Sequence, residues 1–328
     1  MANDQLILAL SFQRLAYFEL KQIEYNSRRL LHHHIIAEAS IDASALRNMQ
    51  GSLNSVEFLV EILMVKLQLP LIHRVTGHVH ISTNPKLCYS TRATVANAHR
   101  LLYLCMGLDQ DVDLKRICID IPATWEGIMA CGILQKQGIA TLATAVFSLE
   151  QAALAALLNC TYVSLFINEL KVHFRQGYVD YENTSHEVCR QIHALYMYMQ
   201  SSTEIMAASF TSVQDVMDLA GTRHIIVSQR LLYELRSINA DAWYGQLGAY
   251  FARAPAGDHW ETRDWRPLMV SKESAWKLAF ARSGFGRNEA KTIQAINYLC
   301  DFQDQLEQLV ALIIAANQPA ENLGATTH

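Results

Sequence analysis

An α/β fold built on a buried parallel sheet is what this sequence predicts, and three observations carry it. From about residue 75, short β-rich runs alternate with stretches of helical period at spacings of roughly 20 to 40 residues, the pattern of strands joined by crossover helices. Several of the strand runs are apolar at both alternating positions, which suits a sheet covered on both faces. Capping residues stand where these elements should meet, with Ser or Thr opening helices and Gly closing them.

In chain order, the strand runs are HVHIS (78–82), RICIDI (116–121), IATLATAVF (139–147), TYVSLFI (161–167), TEIMAAS (203–209) and RHIIVS (223–228). Between them lie RATVANAHRLLYLCM, TWEGIMACGILQKQ, SLEQAALAALLN, SHEVCRQIHALYMYM and SVQDVMDLA, and SQRLLYEL follows the last. Thr124, Ser148 and Ser212 sit at N-cap positions, and Gly138 and Gly221 end helices just before the next strand. The first 74 residues differ. They hold a short apolar LILALS, then QRLAYFELKQIEYNSRRLL and VEFLVEILMVKLQL with helical spacing, and one short strand expected at IIAEAS (35–40). Ala254 to Arg266 (APAGDHWETRDWR) is the most loop-like stretch, and a last helix is expected from about Asn288 to Ala315.

Composition narrows the function classes. With 328 residues, 51% hydrophobic and 18% charged, the chain has material for one large core, which excludes disorder and stapled mini-proteins. A net charge of −4 and a pI near 6.3 leave no face dominated by Lys and Arg, so neither nucleic acid nor a membrane surface is an expected partner. Seven scattered cysteines without a CxxC pair read as reduced thiols of a cytoplasmic protein. The opening MANDQLILALSFQR has no basic n-region before a long apolar run, so no signal peptide is expected, and no apolar run is long enough to span a bilayer.

The stretch RICIDIPATWEGIMACGILQKQGIATLATAVFSLEQA resembles the central motif of the class I transaldolases, a strand ending I-K-[IL]-x-[AS]-T-W-[EQ]-G, a helix, then G-I-x-x-N-x-T-L-x-F-S-x-x-Q-A. VTGHVHISTNPKLCYST, YVSLFINEL and MAASFTSVQDVMDLAG are similar to further strand motifs of that family, and the resemblance runs from about residue 56 to 316. It implies an α/β fold of the (β/α)8 TIM-barrel type, transaldolase kind, with a divergent helical N-terminal part and a long C-terminal helix. The whole chain, 1–328, is expected to be one domain, with residues 1–74 divergent, 75–316 the recognisable barrel and 317–328 a tail.

The same resemblance places Asp120 where the family carries its Schiff-base lysine, and a carboxylate cannot form an imine with a ketose. Ser82 falls at the strand glutamate, Leu142 at the asparagine that bonds the intermediate, and Glu169 and Thr211 at two phosphate-binding arginines. Thr144, Ser164, Phe166 and Ser209 match the family. With the nucleophile and the anion clamp both missing, ordinary transaldolase activity is not expected.

In a barrel, strand residues at spacing two face the axis and chemistry sits at the C-terminal strand ends. That would gather His80, Ser82, Cys118, Asp120, Leu142, Thr144, Ser164, Phe166, Ala207, Ser209 and Thr211 around one cavity. Asp120 is the expected general acid or base, its alternative being a remnant satisfied by hydroxyls. His80 is the second catalytic candidate, against a core histidine. Cys118 and Lys171 are more readily packing and solvated residues than nucleophiles. Trp125, Tyr178 and Tyr181, with Trp243, Tyr244, Trp260 and Trp265, form either loop packing or a lid over an apolar substrate. His32, His33 and His34 point about 100° apart on a helix and cannot converge on one ion, so neither metal nor cofactor is expected.

Two function classes stand. One is a repurposed enzyme using acid–base chemistry, of isomerase, cyclase or lyase type, on an apolar, non-phosphorylated small molecule of specialised biosynthesis. The other is a pseudoenzyme kept as a binding or dimerisation partner, a homodimer included. Residual sugar-phosphate aldol chemistry through another lysine is a minor third.

Overall fold

The computed structural model describes residues 30–180, 185–239, 243 and 272–316, with the backbone alone for 30–34 and 316. Two helices come first, α1 (Leu30–Ala45) and α2 (Ser55–Gln68). Strands and helices then alternate: β1 (Val79–Ser82), α3 (Thr91–Leu108), β2 (Ile117–Pro122), α4 (Trp125–Lys136), β3 (Ala140–Val146), α5 (Leu149–Leu157), β4 (Tyr162–Phe166), α6 (Ser185–Met199), β5 (Glu204–Ala208), α7 (Val213–Asp218), β6 (His224–Ile225) and α8 (Gln229–Ser237). Helices α9 (Glu273–Arg282) and α10 (Arg287–Ala316) follow.

The six strands are parallel and lie in sequential order, the arrangement that right-handed strand–helix–strand crossovers generate as a sheet curls towards a barrel. Alternation splits the strands between two environments. Ile117, Ile119, Ile121, Val163 and Leu165 point outward into the core shared with the helices, whereas Cys118, Leu142, Tyr162, Met206, Ala208 and Ile226 form a separate inner cluster. The caps behave as their sequence predicts: Thr124, Ser148 and Ser212 each accept a hydrogen bond from the backbone N–H three residues on.

The expected strand at IIAEAS is instead helical. Ile36 and Ala39 are buried at helical spacing, and the Ser40 hydroxyl donates to the Ile36 carbonyl one turn back. Packing of α1 on α2, with Lys66 bridging to Asp42 at 2.6 Å, overrides the β-branched local preference. RHIIVS contributes only two residues of strand because Ser228 already caps α8. On β5 the inward set is also shifted from expectation. Parallel register pairs Tyr162, Ser164 and Phe166 with Glu204, Met206 and Ala208, so Ala207 faces the helices. LILALS and the loop-like 254–266 stretch lie outside the described residues.

Candidate active site

The C-terminal ends of the strands frame a cavity of about 30 Å³. Ser82 and Thr83 contribute from the end of β1, Asp120 and Pro122 from β2, Leu142 and Thr144 from β3, and Ser164 and Phe166 from β4. Pro85, Ile226 and Leu299 complete the wall, the last reaching in from α10. Hydroxyls and one carboxyl therefore face a largely aliphatic enclosure.

Asp120 is buried at 7% exposure. Its Oδ2 accepts a hydrogen bond from the Ser82 hydroxyl at 3.2 Å, and among the described residues its Oδ1 has no partner. Burial pushes the carboxyl up to about 7, only partly opposed by the Ser82 bond. A group poised there exchanges a proton near neutral pH, which is what general acid–base work requires. The same strand end is fixed through its backbone, since the Asp120 carbonyl accepts from the Thr83 N–H at 3.0 Å and from the Thr83 hydroxyl at 3.2 Å.

His80, expected beside Asp120, does not line the cavity. It sits in the inner cluster with its ring centroid 5.8 Å from that of Tyr162, whose hydroxyl meets His78 Nδ1 at 2.9 Å. Desolvation, followed by the nearby His78 and His224, lowers the His80 imidazole to about 3. It is a neutral core histidine. Cys118 is fully buried and its thiol is pushed well above the ordinary range, so it offers no thiolate.

Four other expected residues lie outside the cavity wall. Ser209 follows β5 with φ +64° and turns aside, its hydroxyl donating to the Asn168 carbonyl at 2.7 Å and meeting His173 Nε2 at 2.8 Å. Thr211 is exposed, and its backbone N–H and hydroxyl both donate to Asp215, the residue that closes the capping box of α7. Trp125 packs against Trp276 on the outer helical layer, with ring centroids 5.5 Å apart. Tyr178 donates to Glu169 Oε1, which pushes its phenol up to about 12, and its ring lies 4.4 Å beneath the Lys171 ammonium. Tyr181, Tyr244, Trp260 and Trp265 fall outside the described residues.

Glu169 is buried, and its second oxygen accepts from Gln294 on α10 at 2.7 Å. This carboxylate therefore ties the segment after β4 to the C-terminal helix. Two sequence motifs likewise have frame duties. A Cβ on Gly127 would lie 2.1 Å from the Pro122 carbonyl, so only glycine lets α4 start this close to the end of β2. Gln151 accepts from the Phe147 N–H at 2.8 Å and donates to the Ala123 and Ala145 carbonyls at 2.9 and 3.3 Å. It thereby braces the irregularity in β3, where Ala145 adopts φ +59° next to Thr144.

The family model described as Transaldolase/Fructose-6-phosphate aldolase matches residues 28–265, well over half of the chain. The chain belongs to the transaldolase family. Among curated relatives, it is 32% identical over 198 residues to the transaldolase of Chlamydia trachomatis serovar D, a match covering 58% of this chain and 59% of that protein. It is 31% identical over 185 residues to the transaldolase of a Synechocystis strain, covering 55% and 46% of the two chains. A probable transaldolase of Dictyostelium discoideum is 31% identical over 209 residues, covering 61% and 64%. Each of these matches thus spans less than two thirds of the relative's own length.

Within this transaldolase barrel, the sequence reading found Asp120, Ser82, Leu142, Thr144, Ser164 and Phe166 in the cavity wall. It missed Thr83, Pro85, Pro122, Ile226 and Leu299. Alternation along RHIIVS gave a usable signal for Ile226, two residues from the inward His224. For Leu299 only the apolar stripe of the last helix was visible, and that says nothing of what the stripe covers. Among the described residues, no helix is long and apolar enough to cross a membrane.

Proposed function

We propose that this transaldolase-family protein runs no Schiff-base aldol chemistry and uses Asp120 to move a proton on a small, uncharged, largely apolar substrate. Isomerisation, cyclisation or elimination would each suit a single acid–base group, as in a specialised biosynthetic route. The observation that carries this reading is the buried Asp120 carboxyl, with one oxygen unpartnered among the described residues and the cavity beside it. Protonated, it donates to a carbonyl or hydroxyl oxygen of the substrate; ionised, it removes a proton from carbon or oxygen. Ser82, Thr144 and Ser164 are the hydroxyls placed to orient that substrate. Glu169, where the resemblance puts a phosphate-binding arginine, argues against a phosphorylated ligand.

The test is proton exchange in deuterium oxide with a panel of small uncharged ketones and aldehydes, followed by NMR. Enzyme-dependent exchange that disappears in a folded Asp120→Asn protein is the expected result. Equal exchange by both proteins overturns the mechanism.

A second reading is favoured by the cavity volume. About 30 Å³ is room for a water or two, whereas ligand pockets usually hold roughly 300 Å³ or more. On this reading the barrel keeps its frame without chemistry and serves as a binding or dimerisation partner. Absence of exchange across the panel, with no ligand stabilising the fold, would favour it.

A further inference from the structure

The cavity has a roof, held down on both flanks. Helix α10 crosses the strand ends with Ala295, Ile296, Phe302, Leu306 and Val310 buried to 8% exposure or less, and Leu299 at 5%. Polar ties hold both flanks. Gln294 bonds Glu169 and Lys291 meets Asp180 at 2.7 Å on one side, and Lys86 bridges Asp304 at 2.5 Å and Glu307 at 3.0 Å on the other. Lifting such a helix would expose a whole apolar face, so the roof stays in place while the cavity is in use.

From this roof one side chain lines the cavity that contains Asp120, and it is Leu299. We propose that Leu299 is the stopper of the cavity, the side chain that keeps bulk water from the Asp120 carboxyl and limits what can sit beside it. The inference deepens the acid–base reading above and rests on it.

The surroundings of Asp120 leave exclusion of water as the main lever on its proton. The charged or titratable groups on the described elements around it include His80 on β1, Cys118 on β2, Tyr162 on β4, Glu204 on β5, His224 on β6 and Lys86 after β1, with Tyr298, Cys300, Asp301, Asp304 and Glu307 among those on α10. His80 is neutral near physiological pH, Cys118 is a protonated thiol, and Lys86 is engaged by Asp304 and Glu307. The cavity residues from β3, β4 and the end of β6 are uncharged: Leu142, Thr144, Ser164, Phe166 and Ile226. Among the described residues no ion pair holds Asp120, so its protonation follows the dryness of the enclosure. Trimming Leu299 opens a channel-sized gap beside a polar group, which is where water enters.

The experiment follows the carboxyl of Asp120 by ¹³C NMR across pH in the full chain, with the resonance identified by its loss in Asp120→Asn. The expected midpoint is about 7 in the unmodified protein. It should fall by one pH unit or more in Leu299→Ala and by less in Leu299→Val, which preserves most of the packing should the alanine variant fail to fold. Leu306→Ala, also buried on the same helix but not part of the cavity wall, should leave it unchanged. A folded Leu299 variant with an unmoved midpoint overturns the stopper and leaves the acid–base reading intact. An unmodified protein titrating near 4 overturns both.

Discussion

The Ser82 hydroxyl donates to Asp120 Oδ2 over 3.2 Å, a single and rather long bond for a carboxyl this deep in a protein. Its shortfall has a thermodynamic sign. Asp120 holds its proton to about pH 7 in the fold, against an ordinary value of 3.8, so its contribution to stability is complete below about pH 4 and is lost as pH rises to 7. Asp120→Asn should therefore be more stable than the unmodified protein at pH 8, by on the order of 2–4 kcal/mol. At pH 4 the two should differ by about 1 kcal/mol, the scale of an altered hydrogen bond. Urea unfolding at the two pH values measures both differences.

His80 pulls the other way. Its folded value of about 3 lies below the ordinary 6.5, so the fold loses stability as pH falls from about 6.5 towards 3. Between pH 4 and 6.5 this slope and that of Asp120 oppose each other, and the unmodified protein should be nearly flat. Each single variant should unmask the partner's slope. Asp120→Asn gains stability with rising pH in that window, and His80→Phe loses it, each by about 1 kcal/mol per pH unit. Parallel pH profiles for the two variants would contradict this assignment.

The sugar-phosphate reading is checked by trapping. Borohydride added with fructose 6-phosphate should leave no covalent adduct, because the resemblance puts Asp120 at the imine-forming position and a carboxylate forms no imine. Calorimetry should find binding of that sugar phosphate no tighter than about millimolar, since the resemblance puts Glu169 at a position where the family holds the phosphate with an arginine. A stoichiometric adduct on any lysine would restore aldol chemistry to consideration. Asp120→Lys alone should not produce useful transaldolase activity, because the groups of such a site act interdependently.

What could be read in the sequence follows from how far each signal travels along the chain. Strand and helix runs, and the caps at Thr124, Ser148 and Ser212, are written within a few residues of where they act. The inward face of β5 is set by pairing with β4, and nothing within TEIMAAS reveals that Met206 and Ala208, not Ala207, turn towards the axis. The turn at Ser209 depends on Asn168 and His173, which lie on another segment. Leu299 shares a cavity with Asp120 across most of the barrel's length in sequence, a relation that local periodicity cannot hold. IIAEAS failed for the opposite reason, because a local β-branched preference was outweighed by packing against α2.

Gly127→Ala should be among the most damaging single-methyl additions in this chain. With 2.1 Å between the new Cβ and the Pro122 carbonyl, either α4 or the end of β2 must move, and a loss on the order of 3–5 kcal/mol is expected in chemical denaturation. Gln151→Leu should cost about 2–4 kcal/mol, because it strands the Phe147 N–H and the Ala123 and Ala145 carbonyls in a dry interior.

The clearance at Gly127 also bears on heredity. A glycine held by its contact with Pro122 answers to the geometry of one helix start and is indifferent to what reacts a few ångströms away. A lineage could therefore change the residues that line its cavity and still be held to glycine here, because the end of β2 leaves a Cβ no room whatever the cavity holds. Frame and cavity then answer to different residues of the same short stretch: Gly127 to the start of α4, and Asp120, seven residues earlier, to what the strand ends enclose.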